Sequence, residues 1–157
     1  MTDVTALSGR ESAMARLLVA AQFALLGVWL LSGAALAVGQ AMRLLQLAAL
    51  LLAVWAMLVM TSAQKRLFRI SPDPTGHRQL VRDGPYRWIR HPMYAAILLL
   101  VAPPLLERAD VSQLILLAAL AAVLVAKLTL EERLLVRRFA DYADYRRETW
   151  RLFPPVY

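Results

Sequence analysis

The chain has 157 residues, of which 60% are hydrophobic and 18% charged, with a formal net charge of +7. So much apolar sequence in a basic chain of this length is unlike a soluble domain and points to a membrane protein. The absence of cysteine excludes disulfides, thiolate catalysis, iron–sulfur clusters and thiolate metal sites. The cations lie beside apolar runs, where they set topology and meet anionic lipid, so no nucleic acid is expected as a partner.

Each span needs roughly 20 apolar residues, which limits the chain to a single membrane domain over 1–157. The expected fold is all-α, a polytopic bundle of about four transmembrane helices with a C-terminal interfacial helix. Residues Met1 to Glu11 are polar, and the apolar run after them is too long for a secretory signal peptide. The first span is predicted from Ala15 to Val38, with Gly27, Ser32 and Gly33 as small packing surfaces. Gly39 to Arg43 is a minimal turn, and the second span runs from Leu44 to Ala63. Together 1–63 read as an antiparallel hairpin. Trp55, Met57 and Met60 on it serve either as packing or as the lining of a lipid-tail pocket.

Gln64 to Arg90 is the longest polar segment, and Ser71-Pro72-Asp73-Pro74-Thr75-Gly76 within it has loop composition. It leads into Gly84-Pro85-Tyr86-Arg87-Trp88-Ile89-Arg90-His91-Pro92-Met93-Tyr94, a stiff turn in which two prolines fix φ and remove two backbone donors. Pro92 suits the first position of a helix, which would set Arg90 and His91 at a helix N-terminus with unpaired N–H groups. The third apolar run, Met93 to Leu106, is short for a span and contains Pro103-Pro104, so the expected outcomes are that it stops, bends or spans a thin region. Glu107 to Asp110 turns the chain, and Val111 to Leu130 is the last span. In the tail, the spacing of Leu134, Leu135, Phe139 and Tyr142 predicts a continuing amphipathic helix at the interface.

Lysine and arginine number two in the N-terminal tail, seven between Gln64 and Arg90 and six in the C-terminal tail, against one in each intervening turn. By the positive-inside rule both termini and the large loop are cytoplasmic.

Glu131 and Glu132 stand together where the last apolar run ends, with Lys127 one turn earlier. Charges so close to hydrocarbon have partners or a function. In the simplest arrangement Lys127 pairs with Glu131 at i,i+4 and Glu132 is solvated. In the other, these carboxylates meet the Gly84–Tyr94 turn, and carboxylate, imidazole, phenol and guanidinium converge. A ligand combining positive charge with an aromatic base suits that second arrangement.

These motifs carry a family resemblance. Leu80-Val81-Arg82-Asp83-Gly84-Pro85-Tyr86, Arg90-His91-Pro92-Met93-Tyr94, the Glu131-Glu132 pair with Leu134-Leu135, and Phe139-Ala140-Asp141-Tyr142-Ala143-Asp144-Tyr145-Arg146-Arg147 resemble the isoprenylcysteine carboxyl methyltransferase and phosphatidylethanolamine N-methyltransferase group. The likeness covers roughly residues 78 to 157 and makes 64–157 the cofactor-binding core. It implies that Arg78, Gln79, Leu80, Val81, Tyr86, His91, Pro92, Met93 and Tyr94 contact S-adenosylmethionine, with Glu131 at its charged end and Glu132 assisting. It implies that Arg90 orients or activates the methyl acceptor and that Lys127 binds substrate. Lys127 stands where carboxyl methyltransferases have an arginine, so the bidentate fork for a carboxylate is lost. Ala96 and Ala140 replace glycines common in the family.

Methyl transfer from a sulfonium is an in-line displacement that needs alignment and exclusion of water, with no metal and no covalent nucleophile. The acceptor would be lipophilic: a prenylated cysteine, a phospholipid amine, a thiol or another lipophile. Two other classes compete. Membrane sterol reductases end in a similar Arg-His-Pro segment and bind NADPH, and a non-enzymatic scaffold would use the basic tail only to bind anionic lipid. The adjacent glutamates favour methyl transfer.

Overall fold

The computed structural model describes residues 9–33, 36–70, 80–108 and 110–155, with only the backbone at 64–70. Five α-helices account for most of them: α1 (Gly9–Leu31), α2 (Gln40–Ile70), α3 (Pro92–Arg108), α4 (Val111–Arg138) and α5 (Tyr142–Glu148). A 3-10 turn covers Gly84–Arg87, and the sole β feature among the described residues is an isolated parallel bridge between Ile89 and Trp150.

The all-α bundle is as expected, but the number of spans is not. Three helices, α1, α2 over Gln40–Ala63, and α4, are long and apolar enough to cross a membrane. The fourth, α3, has 17 residues, a length of about 26 Å that falls short of a hydrocarbon core of about 30 Å. Its prolines neither stop nor end it, since the helix continues through Pro103 and Pro104 to Arg108. Pro104 offers no N–H to the Leu100 carbonyl four residues earlier, and Gln46 Nε2 of α2 donates to that oxygen at 2.9 Å instead. The Gln46 Oε1 accepts from Ala37 N–H, also at 2.9 Å. One buried amide thus satisfies a carbonyl orphaned by proline and a donor of the α1–α2 connection.

Other boundaries also move. α1 ends at Leu31, seven residues before Val38, and the chain turns through Gly33 at φ 68°. α2 continues past Ala63 into the polar segment as far as Ile70. The amphipathic helix expected from Glu131 through Tyr142 is interrupted: Phe139 is extended, its N–H closing α4 on the Leu135 carbonyl at 2.9 Å, and helix resumes only for the seven residues of α5.

Packing pairs α1 with α4, α2 with α3, and α3 with α4. Antiparallel ladders fix both outer pairs. Along α1 and α4, Glu11 meets Arg137 at 2.8 Å and Gln22 meets Lys127 at 2.9 Å. Beyond them, Arg108 at the end of α3 reaches the Gly33 carbonyl at 3.0 Å. Along α2 and α3, the Glu107 carboxylate accepts from Val38 and Gly39 N–H at 2.6 and 2.9 Å. Trp55 and Val59 lie at the opposite end of that pair, against Gly84. The core is a seam of Leu116, Leu120, Leu124 and Leu128 on α4 against Val101 and Leu105 of α3 and Trp29 of α1. Outward faces carry exposed Leu44, Leu51, Val54 and Leu58 on α2 and Leu17, Phe23 and Leu30 on α1. In lipid such faces cost nothing, so cohesion rests on close packing and polar bonds between helices.

Candidate functional site

The site lies where the Gly84–Tyr94 turn, the start of α3, the last turns of α4 and the C-terminal segment meet. Gly84 makes the turn possible in two ways. Its φ of 59° belongs to the left-handed region, and a Cβ there would sit 2.7 Å from Val59 Cγ2 and 3.2 Å from Trp55 Nε1. Pro92 opens α3. The backbone donors just before it do not await a ligand: Arg90 N–H goes to the Trp150 carbonyl at 2.8 Å and His91 N–H to the Arg151 carbonyl at 3.1 Å. Trp150 N–H returns to the Trp88 carbonyl at 2.9 Å, so the tail lies beside the turn through a single parallel bridge.

Side chains reinforce this strap. Tyr145 OH donates to the Tyr86 carbonyl at 2.6 Å. Arg82 Nη2 bonds the Asp141 carboxylate at 2.7 Å and the Asp141 carbonyl at 3.0 Å, holding the start of α5. Arg90 holds its end, with Nη1 donating to the Arg146 carbonyl at 3.1 Å and to the Thr149 carbonyl. Burial, and then the Glu131 charge, pushes the Tyr86 phenol up. The Tyr142 phenol is pushed up to about 12, mainly by burial and then by Glu132. Both are protonated at neutral pH and lie against the site as neutral rings.

The adjacent glutamates have opposite environments. Glu132 continues the every-fourth-residue series of Leu116, Leu120, Leu124 and Leu128, and so points into the seam with its side chain 4% exposed. Arg90 Nε donates to its Oε1 at 2.9 Å, and Arg151 Nε and Nη2 donate to its Oε2 at 3.1 and 2.7 Å. A buried carboxylate is tolerable only when so fully paired. Glu131, about 100° further round the helix, keeps a side chain 41% exposed. It accepts from Tyr94 OH, and His91 Nδ1 stands 3.7 Å away. Among the described residues no lysine or arginine reaches it.

Buried His91 sits between the two acids, its Nε2 3.4 Å from Glu132 Oε1 without a hydrogen bond, and its ring stacks on Tyr94 at 5.6 Å and 9°. Lys127 does not pair with Glu131. Its Nζ donates to Gln22 Oε1 at 2.9 Å and lies 5.1 Å from the centre of the Tyr94 ring. The structure thus brings together Tyr86, Arg90, His91, Pro92, Met93, Tyr94, Lys127, Glu131 and Glu132. Leu80 and Val81 lie partly buried on the approach to the turn, and Arg78 and Gln79 fall outside the described residues. Sequence reasoning passed over Arg151, Thr149 and Gln22. The signal for Gln22 was present, as the one polar residue in the apolar part of α1 after Arg16.

A family model described as isoprenylcysteine carboxyl methyltransferase (ICMT) matches residues 31–137, a stretch that holds the turn, all of α3 and both glutamates. The chain belongs to the ICMT family. Membership makes it, in general terms, a membrane methyltransferase, in keeping with its three apolar helices. The ICMT match begins at the end of α1 and stops before α5, so Gln22 and the strap through Arg151 lie outside it. No curated protein and no solved structure matches the chain.

Proposed function

We propose that this ICMT-family chain transfers a methyl group from S-adenosylmethionine to a lipophilic acceptor at the cytoplasmic face of a membrane. The observation that carries the reading is the division of labour between the glutamates. Glu132 is neutralised by two arginines, whereas Glu131 is half-exposed, oriented by Tyr94 and without a cationic partner among the described residues. A fixed carboxylate beside the aromatic rings of Tyr94 and His91 fits a ligand that carries a sulfonium, an ammonium and a purine.

When bound, that cofactor supplies an electrophilic methyl group. The protein's own part is placement. Glu131 holds the cationic end, and His91, Pro92, Met93, Tyr94 and Tyr86 form the adjoining wall, continued by Leu80, Val81 and, from the sequence motif, Arg78 and Gln79. Glu132 assists indirectly by holding Arg90. Arg90 has one guanidinium nitrogen, Nη2, without a hydrogen bond among the described residues, and we assign it to orienting the acceptor. Lys127, one turn before Glu131, faces the acceptor's polar end. An acceptor that must lose a proton has His91 and Glu131 within the same cluster. The basic segments support the cytoplasmic assignment: the start of α1, Arg82 to Arg90 and the C-terminal tail gather at one end of the bundle, with Arg43 and Arg108 at the other.

Titration calorimetry of the detergent-purified protein with S-adenosylmethionine tests the reading. The wild-type protein should bind, and Glu131→Gln should bind about tenfold or more weakly, the loss of a charge-assisted contact. No binding by the wild-type protein, or binding of NADPH in its place, overturns the assignment. Unchanged affinity in the variant removes Glu131 from the site.

A further inference from the structure

Gln22 is the only polar side chain of α1 after Arg16, and it is buried. Lys127 is the only charged side chain of α4 before Glu131. In a bundle of apolar helices these two meet, Lys127 Nζ donating to Gln22 Oε1 at 2.9 Å. A clasp between α1 and α4 would account for the bond, but not for the charge. Neutral polar pairs hold helices together in apolar surroundings without the cost of desolvating an ion. Here the ammonium has an amide oxygen and the Tyr94 ring, and no carboxylate among the described residues. Its nearest acid on the helix, Glu131, accepts from Tyr94 OH instead.

One ring therefore separates two charges that are not paired with each other. Tyr94 presents its hydroxyl to Glu131 and its ring to Lys127, 5.1 Å from the centroid. A cation completes the Glu131 side and an anion completes the Lys127 side, one helical turn apart on α4. Two subsites of opposite sign side by side suit a reaction that joins a cationic donor to an acceptor with an anionic head.

We propose that Gln22 is a positioning residue that sets acceptor specificity: its carboxamide oxygen fixes the Lys127 ammonium beside Tyr94 to receive an oxyanion, carboxylate or phosphate, on a lipophilic acceptor. The proposal rests on the methyltransferase reading, and it places a determinant of substrate choice on α1, outside the segment that matches the family.

Gln22→Glu separates this role from that of a clasp. A carboxylate at position 22 keeps the bond to Lys127 as an ion pair but cancels the charge offered to an acceptor. Binding is read on the full-length protein in nonionic detergent with three probes: N-acetyl-S-farnesylcysteine, farnesyl phosphate and the uncharged carboxamide of the first. The wild-type protein should bind at least one of the two oxyanion probes more tightly than the carboxamide, and which one it prefers distinguishes carboxylate from phosphate. Gln22→Glu should lose about tenfold or more of that affinity. Its carboxamide binding should be unchanged, its melting temperature at or above the wild-type value, and its S-adenosylmethionine affinity within about twofold. Gln22→Leu, which leaves the ammonium unfixed, should also weaken oxyanion binding with S-adenosylmethionine affinity retained. Wild-type oxyanion affinity in either variant, or a wild-type protein that does not prefer an oxyanion over the carboxamide, overturns the proposal. Failure to bind S-adenosylmethionine is a separate result, against the methyltransferase reading itself.

Discussion

The two ends of the bundle both use charged side chains to tie together stretches of chain far apart in sequence, and they do so at very different cost. At the turn end, Glu107 and Arg108 bond to backbone groups of Val38, Gly39 and Gly33 with all partners exposed. There a carboxylate meets the open N–H groups at the start of α2, an arrangement that water could largely replace. At the site end, Arg90 and Glu132 are buried, their side chains 8% and 4% exposed, with Arg151 completing the pairing. Nothing about closing a helical bundle demands that burial. What it achieves is placement: the strap, the turn and α4 are held in one geometry while the neighbouring Glu131 has no lysine or arginine partner among the described residues.

Substitutions can break or sharpen that contrast. Glu132→Gln should have the largest effect, since it leaves Arg90 uncompensated in the seam. We expect a stability loss of about 3–5 kcal/mol, measured by denaturation in detergent, and loss of the strap's protection in hydrogen exchange. A loss no greater than that from an exposed pair would erase the distinction between the ends.

Gly84→Ala comes next. It forces a side chain into the left-handed region and against Val59, with an expected cost on the order of 2–4 kcal/mol. Cofactor affinity should fall with it, because the turn carries Tyr86 and His91. Glu107→Gln should be mildest, about 0.3–1 kcal/mol, with S-adenosylmethionine binding unaffected in calorimetry. A large binding defect in that variant would mean the turn end is coupled to the site.

Much of this was legible in the sequence, for identifiable reasons. Gly84, Pro85 and Pro92 restrict the backbone so strongly that a stiff turn and a helix start at Pro92 follow from covalent structure alone. Acidic residues at the end of an apolar run drew attention to Glu131 and Glu132 for the same kind of reason. Even the difference between the two acids was available, because Glu132 keeps step with Leu116, Leu120, Leu124 and Leu128 and Glu131 does not.

Other features depend on tertiary contacts that no local pattern encodes. Pro103-Pro104 reads as a break until Gln46 of another helix supplies the missing donor. The spacing around Phe139 reads as continuous helix because apolar periodicity does not register that Tyr142 and Tyr145 must turn back to cover the motif. The tail's pairing with Trp88 to His91 is a backbone contact made across roughly sixty residues, and it takes up the donors that the motif by itself leaves open to a ligand.

The bond from Gln46 to the Leu100 carbonyl also has a mechanical meaning. Sliding α3 along α2 by one turn would strip that oxygen of its partner in apolar surroundings, at a cost of about 2–7 kcal/mol. The bond therefore fixes the register of α3 on α2. On the other side of the bundle α1 rests on α4 through Trp29, Leu25 and Leu26 and the bonds of Glu11 and Gln22, while Gly27 and Gly33, expected as packing surfaces, face open space. The glutamine that mends a proline in α3 thus also sets how far along α2 the helix that follows His91 and carries Tyr94 can sit.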